Sequence, residues 1–410
     1  MGNYQKDIVM TAIYTPQKLE IGIDVGSLNH AIAIGDGAGN IIKEFEITHT
    51  KKGFDKFFET IDNEASRRNA TISIAMEGYN GWARPFDSQI LAKGYKLYNV
   101  NNVKLARFKE IFPASAKTDS IDARKIVELF SLRKHLPIAK DALQEIKTFD
   151  NNNEKLKKLT RRRKQLVAER VAIANRFSSD LQAVAPDLKA ITKSADNLWF
   201  LRFLILNEDI RDLKRVSSKE IQKIKYLSSK NLQIILEWQV EATFSEATSY
   251  VASMVYDDAI RLLELKAKTN ELKKEIAILN LDSDMARVIQ TIPGFATITA
   301  GELAGEIGTI SRFKSEASLA LYLGMTNLDN NSGKYIGTKR SISTNRHAKM
   351  AMITATMKHA QHTEQSKSYL EKKISEGKKY QQAIRSLGRN LVRVIWKLIQ
   401  EDRVYEIREK

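Results

Sequence analysis

The feature that most restricts how this chain can fold is a glycine-free stretch from Phe149 to Leu279, set between two regions that both contain glycine. Leu, Lys and Glu dominate it, and without glycine it lacks the residue that most readily turns a chain back on itself. The segments Leu156-Lys-Lys-Leu-Thr-Arg-Arg-Arg-Lys-Gln-Leu-Val and Ala259 to Leu279 read as long charged helices. Leu262, Leu263 and Leu265, then Leu272, Ile276 and Leu279, give a partial seam of the kind two helices share in a coiled coil. The heptad is imperfect, so a helical bundle accounts for it nearly as well. Arg161 to Lys164 reads as a solvated basic helix face. The expected division is a lead-in over 1–18, an α/β domain over 19–140, a helical or coiled-coil domain over 141–285, and a mostly helical C-terminal domain over 286–410.

The N-terminal region carries strand period. In Leu19-Glu-Ile-Gly-Ile-Asp24 the apolar residues alternate, and further strands fit Ala31 to Ile34, Ile41 to Ile47, Thr71 to Met76 and Tyr95 to Val100. Phe54, Phe57, Phe58 and Ile61 recur at helical spacing, a helix fits Pro85 to Lys93, and another runs from a cap at Thr118 toward Lys134. Three strands, helix, strand, helix, strand, helix suit a mixed sheet with helices on its faces.

Four acids stand at the ends of these elements: Asp24 after the first strand, Glu77 after the fourth, and Asp119 and Asp122 on one face of a helix start. Carboxylates converging in this way can hold hard divalent ions, and Mg²⁺ bound so can also bridge a substrate phosphate. Two such ions about 4 Å apart stabilise the attacking and leaving oxygens of phosphodiester cleavage. Each acid alone reads equally as a turn residue, or as a charge favouring a helix N-terminus.

Charge placement points the same way. The net charge is +17, and from Lys334 to Lys358 there are six Lys or Arg and no Asp or Glu. From Ser366 to Lys410 twelve basic residues face six acidic ones. A polyanion such as nucleic acid is the natural partner of that surface. A membrane surface is not expected, because no helix is read as pairing a basic face with a strongly hydrophobic one. No apolar run reaches a membrane span; the longest, Leu198 to Leu206, is broken by Arg202. The opening residues lack a signal peptide's apolar stretch, and there is no cysteine, which removes disulfides and thiolate metal sites and fits a cytoplasmic setting.

In the C-terminal region, Ile292-Pro-Gly-Phe to Gly308 reads as two short helices around a Pro-Gly turn, which either packs plainly or offers N–H groups to a phosphate. The last helix, Gln381 to Gln400, puts Ile384, Leu387, Leu391, Val392, Ile395 and Leu398 on one side. Ser332 lies in an Asn/Gly loop before a basic stretch. Lys334, Lys339, Arg340, Arg346 and Lys349 there, with Lys117 and Arg124 beside the second acid pair, are the candidate nucleic-acid contacts. An ordinary turn explains Asn-Ser-Gly as well, and no spacing identifies a base for the serine. His347 reads as a proton carrier or a structural residue, His359 and His362 as surface residues, and Trp82, Trp199, Trp238 and Trp396 as core.

Several accounts share these residues. Ile21-Gly-Ile-Asp-Val-Gly-Ser27 also resembles the first phosphate loop of sugar kinases and actin-like ATPases, but no second phosphate loop or adenosine motif follows. A nuclease that uses water, with Ser332 idle, and a nucleic-acid scaffold without chemistry remain.

Taken together, Ile-Gly-Ile-Asp24, Met-Glu77-Gly, Lys-Thr-Asp119-Ser-Ile-Asp122-Ala-Arg, Ile292-Pro-Gly, Leu-Gly-Met-Thr and Asn-Ser332-Gly resemble the DEDD insertion-sequence transposases (the insertion-sequence one hundred and ten family). The resemblance covers roughly residues 19–140 and 286–365. It implies a RuvC-like, RNase H-fold domain in which Asp24, Glu77, Asp119 and Asp122 carry Mg²⁺, with Mn²⁺ as a substitute. It further implies Ser332 as a nucleophile that links covalently to DNA, a coiled coil for assembly into a homo-oligomer (a tetramer), and an element-encoded bridge RNA that selects donor and target DNA.

Overall fold

The alternation at Leu19, Ile21 and Ile23 organises the first unit. In the computed structural model, which describes residues 17–79, 84–111, 119–136, 142–147, 150–339, 341 and 344–406, β1 (Gln17–Val25) pairs antiparallel with β2 (Asn29–Gly35), and β2 with β3 (Ile41–Thr48). On its other side β1 runs parallel to β4 (Ala70–Met76), which is parallel to β5 (Lys96–Val100). A short β6 (Leu143–Glu145), absent from the sequence-based expectation, closes the edge antiparallel to β5. The order is β3-β2-β1-β4-β5-β6, the mixed sheet expected of an RNase H-like domain.

Side-chain parity splits the two faces. Leu19, Ile21, Ile23, Ile74 and Met76 meet Phe54, Phe57, Phe58 and Ile61 of α1 (Lys51–Arg68) and Phe86 and Ile90 of α2 (Arg84–Ala92). On the opposite face Ala75, Tyr98 and Val100 meet Leu105 and Phe108 of α3 (Asn102–Glu110) and Ile126, Leu129 and Phe130 of α4 (Asp119–His135). Both faces are thus covered by helices over largely apolar cores, with the buried His30 stacked among the phenylalanines on the first side and Glu20 buried on the second.

The chain divides at Thr148/Phe149, and the second unit is helical. Its frame is a pair of long antiparallel helices, α5 (Asn151–Val184) and α10 (Thr248–Asp282), each about 50 Å long at 1.5 Å per residue. Their register is marked by Arg176 to Asp258 and Arg261 to Glu169, and the leucine seam closes between them within one chain. Between them the chain forms a distal lobe: α6 (Pro186–Ala190), α7 (Leu198–Leu204), a 3₁₀ turn at Ile210–Arg215, α8 (Ser218–Gln222) and α9 (Ser229–Glu241). Phe177, Leu181, Phe200, Phe203, Leu204 and Trp238 fill its core, so the apolar run at 198–206 packs through Phe200, Leu201, Phe203 and Leu204 into the lobe interior, with Leu206 exposed at its end.

The near ends of α5 and α10 contribute Leu156 and Ile276 to a second core, built with α11 (Asp284–Gln290), α12 (Thr297–Ile307), α13 (Glu316–Tyr322), α14 (Arg346–His362), α15 (Glu364–Ser375) and α16 (Tyr380–Glu401). Gly301 and Gly305 let α12 nest on the long pair. A Cβ at Gly305 would stand 2.5 Å from Lys157 N, and one at Gly301 2.7 Å from Asn280 Oδ1.

Three sequence-based expectations are corrected here. Arg161 and Lys164 are not a solvated face, because they pair with the buried Glu306 and Glu302 of α12. His359 is buried rather than at the surface: its Nδ1 lies 2.7 Å from Pro293 O, so the Pro-Gly turn packs on α14. A helix does pair basic and apolar faces, namely α16, but its Ile384, Leu387, Leu391 and Ile395 are core, and its Arg389 and Arg393 pair with Glu316. Trp238 is buried and Trp199 and Trp396 are half-buried, whereas Trp82 lies outside the described residues. Among the described residues no helix is long and apolar enough to cross a membrane.

Candidate active site

The face of β1 turned to α4 carries Glu20, Gly22 and Asp24. Each meets a different level of that helix, which runs antiparallel to the strand. Glu20 pairs with Lys134 at the helix end, 2.8 Å away. Gly22 lies under Ala123, where an added Cβ would come within 2.2 Å of the Ala123 carbonyl oxygen and 3.0 Å of Ile126 Cβ. The absence of a side chain at 22 therefore lets α4 press on the strand and bring Asp119 and Asp122 of its first turn over Asp24.

Glu77 follows β4, whose Met76 is in register with Ile23, and the Glu77 N–H donates to Ile23 O at 3.2 Å. Asp24 and Glu77 thus end adjacent parallel strands. By strand parity Glu77 shares the face of Ala75, which packs on α4. Asp24 registers all three neighbours: burial first, then the charges of Asp122, Glu77 and Asp119, push its carboxyl up to about 6, partly offset by Lys109. Lys109, on α3, bridges to Asp122 Oδ2 at 2.7 Å. Sequence reasoning missed this lysine because it missed α3. The signal was Asn101, whose side chain caps the helix, followed by Leu105 and Phe108. The four acids therefore gather at one end of the sheet. No three carboxylates or histidines among the described residues stand as a ready-made ligand set.

The basic candidates fall in varied settings. Arg124 is paired with Glu44 on β3, and Lys117 and Arg340 lie outside the described residues, as does Thr118. In the second unit, β7 (Leu328–Asp329) and β8 (Thr338–Lys339) form a small hairpin. Ser332 is near its tip, exchanging backbone hydrogen bonds with Tyr335 at 3.0 and 2.9 Å across Gly333 and Lys334. Gly333 has φ +55°, the conformation that makes glycine useful in so tight a loop. Ser332 and Lys334 are exposed, Lys339 is on β8, and Arg346 and Lys349 are in the first turn of α14.

A buried polar network anchors the chain just beyond that hairpin. Arg161 grips Glu306 with two hydrogen bonds, 2.6 and 2.8 Å, and Asn345 donates to the same carboxylate at 2.7 Å. Tyr322 donates to Glu306 O, and Asn345 Oδ1 accepts from His347 N and Ala348 N, capping α14. Burial works against ionisation of Glu306, but Arg161 and Asn345 hold its carboxyl below the usual range. His347 is held below the ordinary imidazole value, by burial first and then by Arg161. A lone buried carboxylate is costly, so the network fixes where the hairpin joins the core.

Comparison with known proteins adds two family models. One, described as transposase and of the DEDD class, matches residues 21–186, and the other, described as transposase IS116/IS110/IS902 family, matches residues 286–371. The chain is 23% identical over 410 residues to the insertion element IS116 uncharacterized 44.8 kDa protein of Streptomyces clavuligerus, covering 95% of this chain and 96% of that one. It is similar at 21% over 401 residues to the IS900 42 kDa protein of Mycobacterium paratuberculosis, covering 95% and 97%. It is 23% identical over 399 residues to the IS110 43.6 kDa protein of Streptomyces coelicolor, covering 95% of each.

Proposed function

Since the chain belongs to the IS116/IS110/IS902 family of insertion-sequence transposases, we propose that it cuts, exchanges and rejoins DNA strands at a divalent-metal site made by Asp24, Glu77, Asp119 and Asp122. The observation that carries this reading is the side-by-side end of β1 and β4, with α4 drawn onto Gly22 so that four carboxylates crowd one place. The residues fit such an ion. All are hard oxygen donors, and the burial and the neighbouring negative charges that raise Asp24 are offset only in part by Lys109. Mg²⁺, or Mn²⁺ in its place, supplies charge stabilisation to the attacking and leaving oxygens when bound.

The chain's own residues do the rest. Asp24 and Glu77 hold their carboxylates at fixed strand ends, and Asp119 and Asp122 bring theirs on a rigid helix. Ser332 attacks the scissile phosphorus through Oγ. A serine–phosphate ester forms, the bond to the departing strand breaks, the serine gives up its proton, and the departing oxygen takes one up. Religation is the reverse. Lys334, Lys339, Arg346 and Lys349 follow the serine closely in sequence and are suited to neutralising the phosphate. Guidance by a bridge RNA, and a homo-oligomer that pairs acids and serine from different subunits, rest on the family resemblance.

The test is to incubate the protein with Mg²⁺, a structured RNA encoded beside its gene, and donor and target DNA, then look for a denaturant-stable protein–DNA adduct. The adduct should vanish in Ser332→Ala and in Asp24→Asn. Cleavage without an adduct would assign the attack to water instead. Binding without cleavage would leave only a scaffold.

A further inference from the structure

Tyr226, between α8 and α9, combines two unfavourable features. Its φ is +73°, a conformation bulky side chains rarely adopt, and the residue is 65% exposed. The other non-glycine residues with positive φ among those described are Asn69 and Asp402. Both cap helix ends, where short polar residues tolerate that geometry. Tyr226 caps no helix and is not part of the lobe core, so packing does not explain it.

What surrounds the ring is cationic. The Arg202 guanidinium lies 5.0 Å from the ring centroid and the Lys225 ammonium 5.4 Å from it. Arg202 Nη1 also donates to Lys225 O at 3.0 Å, which holds the guanidinium beside the tyrosine. Both residues line an open cleft of about 930 Å³ in the lobe, together with Lys223, Arg215, Asp212 and Glu220. The two acids are already committed. Glu220 accepts from Ser217 N and Oγ at 3.1 and 2.9 Å, and Asp212 faces Arg215 at 3.4 Å. No ion pair joins Arg202, Lys223 or Lys225 to a carboxylate among the described residues.

We infer that an unpaired nucleotide of a single-stranded nucleic acid binds at the rim of this cleft, where Tyr226 stands beside the lining residues Arg202 and Lys225 as the stacking platform, with Lys223 and Lys225 taking the flanking phosphates. An exposed aromatic ring layered with a planar guanidinium offers a flat face to any base, and cations alongside follow the backbone. Neither feature can grip a paired base inside a duplex. Tyr226 thus stands exposed in a short connection at a strained φ, outside the packed core of the lobe. The site is independent of the acidic cluster and of the chemistry proposed there.

The test uses the full chain with short single strands carrying 5-iodouracil, one ribo- and one deoxyribo-oligomer, crosslinked by ultraviolet light and mapped by mass spectrometry. The expected crosslink falls on Tyr226. Its yield against oligomer concentration should shift roughly tenfold in Arg202→Gln, with one stacking layer lost. A fluorescent oligomer should be bound equally by Tyr226→Phe and less well by Tyr226→Gly, although the glycine variant, freed of the strained φ, should melt at a higher temperature. A crosslink from the ribo-oligomer alone identifies RNA as the ligand, and one from the deoxyribo-oligomer alone identifies single-stranded DNA. No crosslink at Tyr226 from either oligomer overturns the proposal. So does displacement by polyglutamate as effective as by unlabelled strand, because charge alone would then suffice.

Discussion

Gly22 does at residue scale what the acids cannot do for themselves. Gly22→Ala would force its Cβ into the Ala123 carbonyl. We expect a loss of about 1–3 kcal/mol of stability, as for other overpacked cores, and a larger loss of metal affinity, read by titration with Mn²⁺, because α4 carries two of the four carboxylates. Unchanged metal affinity would remove Gly22 from the account. Asp24 gives a pH signature. Its folded carboxyl keeps its proton up to about 6 while the unfolded one loses it near 3.8. The native state then binds more protons in that window, so the stability of the metal-free protein should fall as pH rises through it. Asp24→Asn should flatten that part of the denaturation profile. Metal affinity should weaken below about pH 6 for the same reason. At the other pole, Arg161→Met removes the main partner of buried Glu306 and should destabilise the second unit by about 3 kcal/mol, and Arg161→Met with Glu306→Leu should recover much of that in a double-mutant cycle.

Legibility in sequence differs among the elements for physical reasons. α1 and α16 show cleanly because each buries one apolar face and exposes the other, and β1 because its large apolar side chains all fall on one face, so period 3.6 or 2 survives in the residues. β6 is three residues long and carries no period, so it exists only through pairing with β5. The lobe helices α6 to α8 are five to seven residues each, too short for a pattern. The acids were readable because each ends a legible element. Their convergence was not, because it depends on a contact across the sheet at Gly22. Arg161 looked solvated because its buried partner lies 145 residues away on α12. The hairpin bearing Ser332 was readable as a turn but not as an anchored one, since the Glu306 network draws on α5, α12 and the start of α14.

For the whole molecule, the two units have separate cores, so residues 149–410 produced alone should fold and show the same unfolding step as in the full chain. Acid-site substitutions should leave that step unmoved in the full chain; a fragment that fails to fold would show that the acidic unit supports it. The long pair α5 and α10 with the lobe at its far end forms an arm. Its entry and exit touch: Asn152 donates to Asp282 O at 3.0 Å, and Ser283 donates to Asn153 at 2.6 Å. Everything beyond is an excursion that leaves and returns at one place. With the register set by Glu169 opposite Arg261, residues 167–265 could be exchanged for a tight reversal, or for the outer portion of a relative's arm, without cutting the helices that seat α12. An exchange of that kind would change the tip and leave the helical base as it is.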